Sequence, residues 1–109
     1  MTVEQFINAS GFCPVVLADK DRIVSGAYVG DLLSWVMGRA KADDAWITIM
    51  SNLNVIAVAT LADVSCVIFA EGVTPDDELI QVARAKGVNL LSSPDSSYDV
   101  AVKISGILQ

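Results

Sequence analysis

The feature that most constrains this chain is the stretch of residues 47–72, which is almost entirely apolar apart from the small polar group Ser51, Asn52 and Asn54. The apolar run that follows the group, residues 55–70, contains polar interruptions and is shorter than the roughly 20 residues that a membrane-spanning helix needs. We therefore predict that the stretch is buried inside a folded domain.

Two segments of this stretch, residues 45–50 and 66–70, have the composition of strands that are buried on both faces. Periodicity does not separate helix from strand in residues 55–62, because nearly every position there is apolar. Two parallel neighbouring strands need a crossover connection, and a helix is the usual one. We expect residues 55–62 to be that helix, with Asn52 or Asn54 as its N-cap.

The next helix and strand have clearer boundaries. Thr74 is the expected N-cap of a helix with Pro75 at its first position, and Gly87 follows its end. Residues 88–91 then read as a short strand, and a last helix presents an apolar face that includes Val100. Three strand–helix units in succession predict a parallel sheet.

The N-terminal part begins with a helix, because Thr2 and Gln5 have the spacing of a capping box. Residues 12–18 and 23–29 read as two strands, and we expect the charged residues 19–21 to join them in a tight turn. Pro14 indicates that the first of these strands lies at an edge.

Three further residue assignments complete this part of the chain. Asp31 is the expected N-cap of a second helix that ends near Gly38. Cys13 and Cys66 lie in apolar, strand-like runs, so both are expected to be small buried side chains and not reactive thiols. Of the two tryptophans, each belongs either to the core or to a partner surface.

These elements predict an α/β fold in which a mostly parallel sheet carries helices on both faces, as a single three-layer domain over residues 1–109. Ligands bind such folds at the carboxyl ends of the strands. The loops at that position are residues 51–54, 71–74 and 92–95. Their Ser and Asn residues either cap helices or bind a small anion, and the two roles are compatible.

Composition excludes several classes of function. The chain has 7 basic and 13 acidic residues, a net charge of −6, which disfavours nucleic acid as a partner. It has no His and no nucleophile or P-loop motif, so we predict no catalytic residues, no metal site and no cofactor. The N-terminus lacks the pattern of a signal peptide, which predicts a cytoplasmic protein without a membrane segment. The surplus of apolar residues, 53% of the chain, favours a homodimer.

The segments VSGAYVGDLLS (residues 24–34), AWITI (45–49), VIFAEG (67–72) and LLSS (90–93) resemble the DRTGG domain. That module is related to the N-terminal domain of HPr kinase/phosphorylase and also occurs inside phosphotransacetylases and CBS-containing pyrophosphatases. Stand-alone versions occur in anaerobic bacteria, often beside genes for iron-only hydrogenases. The letters DRTGG themselves do not occur in this chain.

The resemblance implies a regulatory α/β module without kinase activity, because the HPr kinase active site lies in a separate domain. It implies dimerisation and, in some relatives, sensing of an adenine nucleotide. The alternative is an accessory subunit that binds a partner enzyme of hydrogenase metabolism without a ligand. The candidate ligand-binding residues are Thr48, Ser51, Asn52, Asn54, Gly72, Ser92 and Ser93.

Overall fold

The first four elements of the computed structural model, which describes residues 1–108, are a helix, two strands and a second helix. They are α1 (Val3–Ser10), β1 (Cys13–Val16), β2 (Gly26–Val29) and α2 (Leu33–Arg39). The capping box of α1 is confirmed: the Gln5 N–H donates to Thr2 Oγ1 at 3.2 Å, and the Thr2 N–H donates to Gln5 Oε1 at 2.9 Å.

Three strand–helix units follow, as the sequence predicts. They are β3 (Asp44–Thr48) with α3 (Asn54–Ala62), β4 (Cys66–Phe69) with α4 (Asp77–Lys86), and β5 (Leu90–Ser92) with α5 (Ser97–Ile107). The crossover between β3 and β4 is therefore a helix. Residues 55–62, which periodicity alone did not assign, are helical as expected from the parallel pairing of the two strands. No helix within residues 1–108 is long and apolar enough to cross a membrane.

The sheet has the strand order β1-β5-β4-β3-β2 and is parallel except for β1, which pairs antiparallel with β5. The predicted α/β class with a mostly parallel sheet is confirmed. The predicted tight turn between the first two strands is wrong, because β1 and β2 lie at opposite edges of the sheet. Pro14 does lie in an edge strand, where its missing N–H interrupts no inner ladder.

Helices cover both faces of the sheet and enclose two hydrophobic clusters. On one face α2, α3 and α4 pack against the side chains of Trp46, Val67 and Phe69. On the other face α1 and α5 pack against Ile47 and Ile68. The side chains of each inner strand thus alternate between two buried layers, and this explains why those strands are apolar at every position.

Three predicted helix caps are wrong. Neither Asn52 nor Asn54 is the N-cap of α3: that residue is Leu53, without a side-chain hydrogen bond, and Asn54 is the first residue of the helix. The Asp31 carboxylate does not cap α2, whose N-cap residue is Leu32 without a side-chain hydrogen bond. Thr74 does not cap α4. The N-cap is Asp76, whose Oδ1 accepts from the Leu79 N–H at 2.9 Å. Asp and Thr are both good caps, so the sequence alone does not distinguish two candidates that lie two residues apart.

Of the two cysteines and of the two tryptophans, one residue is buried and the other is exposed. Cys66 is buried as predicted, whereas the prediction for Cys13 is wrong because it lies exposed on the edge strand β1. Trp46 is fully buried, and its indole N–H donates to the Gly30 carbonyl at 2.8 Å. Trp35 is 52% exposed, and the Arg39 guanidinium stacks over its ring.

Candidate functional site

The carboxyl ends of the four parallel strands lie along one edge of the sheet, and the loops that leave them form the candidate site. These loops are residues 30–32, 49–53, 70–76 and 93–96. Six of the seven predicted site residues lie on these loops or at the last positions of the strands that lead to them, and Asn54 is the first residue of α3. The edge is therefore the place where an α/β fold binds ligands.

Thr48 holds the first two loops together. Its hydroxyl donates to Asp31 Oδ1 at 2.8 Å, the Ile49 N–H donates to the same oxygen at 2.9 Å, and the Met50 N–H donates to Thr48 Oγ1 at 3.1 Å. Thr48 itself is 1% exposed. The Thr48 side chain therefore positions the two loops. Its partner Asp31, which the sequence predicted to cap α2, instead accepts hydrogen bonds from Thr48 and Ile49.

The polar group before α3 is accessible but partly used by the backbone. Ser51 is half-buried, and Asn52 and Asn54 are exposed. Asn52 Oδ1 accepts from the Asn54 N–H at 3.0 Å, and the next two amides, of Val55 and Ile56, donate to the Asn52 and Leu53 carbonyls. Because these first amides of α3 already have acceptors, any ligand here is bound mainly by side chains.

The loops after β4 and β5 are bonded to each other. The Glu71 N–H donates to the Asp95 carbonyl at 2.8 Å, and the Gly72 N–H donates to the Ser93 carbonyl at 3.1 Å. Gly72 has a φ of +74°, in the left-handed region that glycine tolerates best. Ser93 is 4% exposed, and its Oγ accepts from the Asp95 N–H at 3.1 Å.

The structure thus brings Gly72 and Ser93 together and places them beside, not within, the polar group that precedes α3. Residues 51–54 and 92–95 would be neighbours only if β3 and β5 were adjacent, and β4 lies between those strands. Ser92 lies on β5, in register with Phe69 on one side and Cys13 on the other. The candidate residues therefore form a line along the edge and not a single ring.

Acidic side chains dominate the electrostatics of this edge, and each of them has a structural partner. Glu71 Oε2 accepts from the Ser97 N–H at 2.9 Å. Asp95 lies 3.6 Å from Lys103 Nζ in an ion pair that is about 40% exposed. Asp31 and Asp76 are bonded to backbone amides as well, so these carboxylates order the loops. Within residues 1–108, no three Cys, Asp or Glu side chains group closely enough to hold a metal ion.

Five surface cavities, of about 110 to 450 Å³, lie elsewhere on the molecule. None of these five is lined by any of the seven candidate residues. One of them, of about 110 Å³, lies at the opposite edge of the sheet, where the parallel strands begin. Its lining includes the polar residues Arg22, Asp63 and Asn89.

Arg22 organises that amino edge. Its guanidinium contacts Asp43 Oδ1 and Asp63 Oδ1, each at 3.0 Å, and also donates to the Asp63 carbonyl. Partial burial lowers the pKa of Arg22, but the hydrogen bonds and charges of the two carboxylates outweigh burial and raise this pKa above its ordinary value. Asp43 and Asp63 both have positive φ, so the ion pairs fix two turns. Sequence spacing gives no signal for this cluster.

Asn89 completes the amino edge from the inside. Its amide donates to the Asp19 and Ser65 carbonyls at 2.8 and 3.0 Å, and its Oδ1 accepts from the Asp19 N–H at 2.8 Å. Asn89 is 2% exposed, and both its side-chain nitrogen and its side-chain oxygen have hydrogen-bond partners in the protein. Asn89 therefore fastens the loop after β1 to the core.

Burial suppresses the reactivity of the Cys66 thiol in the core. Burial raises the pKa of the Cys66 thiol to about 12, against a small opposing effect of its hydrogen bond with Ser65. A neutral thiol is neither a nucleophile nor a metal ligand. Cys66 is therefore a packing residue.

Comparison with known proteins places this architecture. The chain is similar over 99% of its length to a crystal structure of the CBS and DRTGG domains of the regulatory region of Clostridium perfringens pyrophosphatase complexed with the activator diadenosine tetraphosphate, with a TM-score of 0.73 and 16% identity. It spans 46% of that chain. No curated protein matches it. The family model of the DRTGG domain matches residues 15–107, which is most of the chain. The chain therefore belongs to the DRTGG domain family.

Proposed function

We propose that the whole chain is one regulatory module without catalytic activity, and that it binds an adenine nucleotide or a related small anion along the carboxyl edge of its sheet. DRTGG domains are regulatory modules, and the similar pyrophosphatase region was crystallised with a nucleotide activator. The single observation that carries the proposal is the exposed pair Asn52 and Asn54 with half-buried Ser51, which follow the end of the inner strand β3.

The binding groups in this proposal are hydroxyl and amide side chains, because the first amides of α3 are occupied by the chain itself. Asn54 has an exposed amide next to the backbone of the loop. An Asn side chain donates to phosphate oxygens and also accepts from an adenine amino group, so this group suits a nucleotide better than a bare anion.

A thermal-shift panel with AMP, ADP, ATP, diadenosine tetraphosphate and inorganic phosphate tests the site. A ligand at 100 times its dissociation constant adds about 2.7 kcal/mol of stability, which raises the melting temperature by several degrees. We expect Asn54→Ala to abolish the shift, and Asn8→Ala, an exposed Asn on α1, to leave it unchanged. An equal shift in both variants, or none for any compound with the wild-type chain, contradicts the proposed site.

We further propose that the module forms a homodimer through the outer surface of α3. No residue of α3 is charged, and its outer surface exposes Leu53 (42%), Ala57 and Leu61 (72%) at helical spacing. Two copies that each carry a net charge of −6 approach most easily through such an uncharged surface. A cavity of about 330 Å³ beside this surface, between α3 and α4, can receive the Leu61 side chain of the other copy.

Light scattering at micromolar concentration tests the dimer. We expect twice the 11.5 kDa mass of the chain for the wild type and for Val102→Glu, which places a charge on an exposed position of α5. We expect the single mass for Leu61→Glu. A wild-type chain that is monomeric at high concentration contradicts the dimer.

A role as an accessory subunit of a partner protein is the second candidate function. The observation that favours it is the open outer edge of β2, which is separate from both the nucleotide site and the α3 surface.

A further inference from the structure

The edge strand β2 leaves part of its backbone without partners in the sheet. β2 pairs only with β3, and the Gly30 N–H donates to the Ile47 carbonyl on that side. Since backbone groups point alternately to the two sides of a strand, the N–H and C=O groups of Ala27 and Val29 point outward. Such an edge is a template for an additional strand.

Side chains do not shield this edge. A Cβ atom at Gly26 would lie 2.7 Å from Asp44 Oδ1, so this position is restricted to glycine while Asp44 keeps its place. Asp44 is itself buried and fixed, since its Oδ2 accepts from the Lys41 N–H at 2.8 Å. Natural edge strands are usually blocked by charged side chains, prolines or bulges, and β2 has none of these.

A cavity opens beside β2 on each face of the sheet. The two cavities, of about 450 and 340 Å³, share Ser25, Gly26 and Ala27 as lining residues. One lies on the side of α2 and the other on the side of α5. An added strand directs its side chains alternately to these two faces, so each cavity can receive every second side chain.

The two cavities differ in chemistry. The cavity on the α2 side is lined by Arg39 and Lys41, and within residues 1–108 neither of these cations forms an ion pair. Asp44 lines this cavity too, but its carboxylate already accepts a hydrogen bond from the Lys41 N–H. The cavity on the α5 side carries no charged residue and is more apolar, with Ala101, Ile104 and Leu108 in its lining beside Ser25 and Ser105.

We propose that the outer edge of β2 binds an extended segment of a partner protein in which acidic and apolar residues alternate. The acidic side chains face Arg39 and Lys41, the apolar ones face Ile104 and Leu108, and the backbone pairs with Ala27 and Val29. A second copy of this chain fits the edge less well: an antiparallel pair of β2 strands places the same faces together, so the cations of both copies meet. The proposal does not depend on nucleotide binding or on the α3 dimer.

Fluorescence anisotropy with a labelled peptide of roughly eight residues, the length of an ordinary strand, tests the edge. The probe alternates Glu and Val, and a control peptide alternates Lys and Val. We expect saturable binding of the acidic probe only, and a weaker affinity at high salt because the ion pairs are exposed. Binding of both peptides alike, or of neither, overturns the proposal.

Two variants of the protein separate the backbone from the charges. Ala27→Pro removes only an outward N–H, so β2 keeps its pairing with β3 while strand addition is blocked; we expect loss of binding with an unchanged circular dichroism spectrum. Arg39→Gln combined with Lys41→Gln should weaken binding about threefold to tenfold, whereas Arg84→Gln with Lys86→Gln, an equal change of charge on α4, should leave it unchanged.

A probe N-methylated at alternate residues gives the same backbone test if Ala27→Pro does not fold, and we expect it not to bind. Equal effects of the two charge variants, or full binding by the N-methylated probe, overturn the proposal. An Ala27→Pro chain that turns from dimer to monomer, with no peptide bound by the wild type, overturns it in favour of a second copy at this edge.

Discussion

Asp31 shows how one carboxylate at a strand end can order two loops. Its position after a glycine and before an apolar run favours a helix cap in the sequence, and only the parallel pairing of β2 with β3 brings it to Thr48 and Ile49. The local pattern therefore identified an important residue but not its partner, because the partner lies 17 residues away along the chain.

We predict that Asp31→Ala destabilises the protein. The change removes the acceptor for the Thr48 hydroxyl, which is buried, and for the Ile49 N–H, so the free energy of unfolding should fall by about 1–2 kcal/mol. Urea denaturation measures it. Asp21→Ala, which removes an exposed carboxylate from the loop before β2, is the control and should change stability little.

Cys66 gives a prediction on pH dependence. The folded pKa of about 12 lies above the value of roughly 8.5 expected when the chain is unfolded, so above that lower pKa the unfolded state loses its proton first. This contribution to stability is full below about pH 8.5 and is lost as the pH rises toward 12.

We expect the free energy of unfolding of the wild type to fall more steeply between pH 9 and 10.5 than that of Cys66→Ala, by at most about 1.4 kcal/mol per pH unit. Cys13→Ala removes the exposed thiol and should follow the wild type. Identical slopes for all three chains would show that the buried thiol does not set this pH dependence.

At the scale of secondary-structure elements, α4 illustrates what a sequence pattern does and does not determine. The helix and its glycine end are where the sequence places them, with Gly87 in the left-handed conformation. Its start is two residues later than Thr74 and Pro75 suggest, because the Asp76 carboxylate accepts from the Leu79 N–H and caps the helix. Element type follows from periodicity over many residues, whereas a boundary depends on one hydrogen bond.

Because Asp76 and not Thr74 caps α4, we predict effects of different size for two neighbouring variants. Asp76→Ala removes the acceptor for the Leu79 N–H and a negative charge at the positive end of α4, so stability should fall by about 1 kcal/mol. Thr74→Ala should change stability by only a few tenths of a kcal/mol. Thermal unfolding by circular dichroism compares them, and a larger loss for Thr74→Ala would restore the cap that the sequence favours.

At the scale of the whole molecule, the order of the strands in the sheet is the feature that the sequence predicts least well. The parallel core of β3, β4 and β5 follows from three repeated units, but the N-terminal strands lie at opposite edges and not side by side. Nothing in the charged residues 19–21 distinguishes a hairpin turn from a longer connection. The contacts that decide between them, made by Asn89 and Arg22, span 70 and 21 residues of sequence to Asp19 and Asp43.

We therefore predict that Asn89→Ala is among the most damaging single changes outside the apolar core. It leaves the buried Ser65 carbonyl and the partly buried N–H and carbonyl of Asp19 without these partners, at a cost of about 2–4 kcal/mol. Gln81→Ala, an exposed amide on α4, is the matched control. A loss below about 1 kcal/mol in urea would show that β1 and its loop are held by other contacts.

The placement of β1 beside β5 also has a consequence for protein synthesis. β1 leaves the ribosome before β2, β3 and β4, but its neighbour in the sheet, residues 90–92 of β5, is translated after all three of them. While β2, β3 and β4 are translated, β1 therefore has no strand to pair with, and its buried residue Val16 lacks the cluster that α4 completes. Completion of β5 covers the open side of β4 and adds β1 as the new edge strand, so both pairings form in a single step after β4 is made.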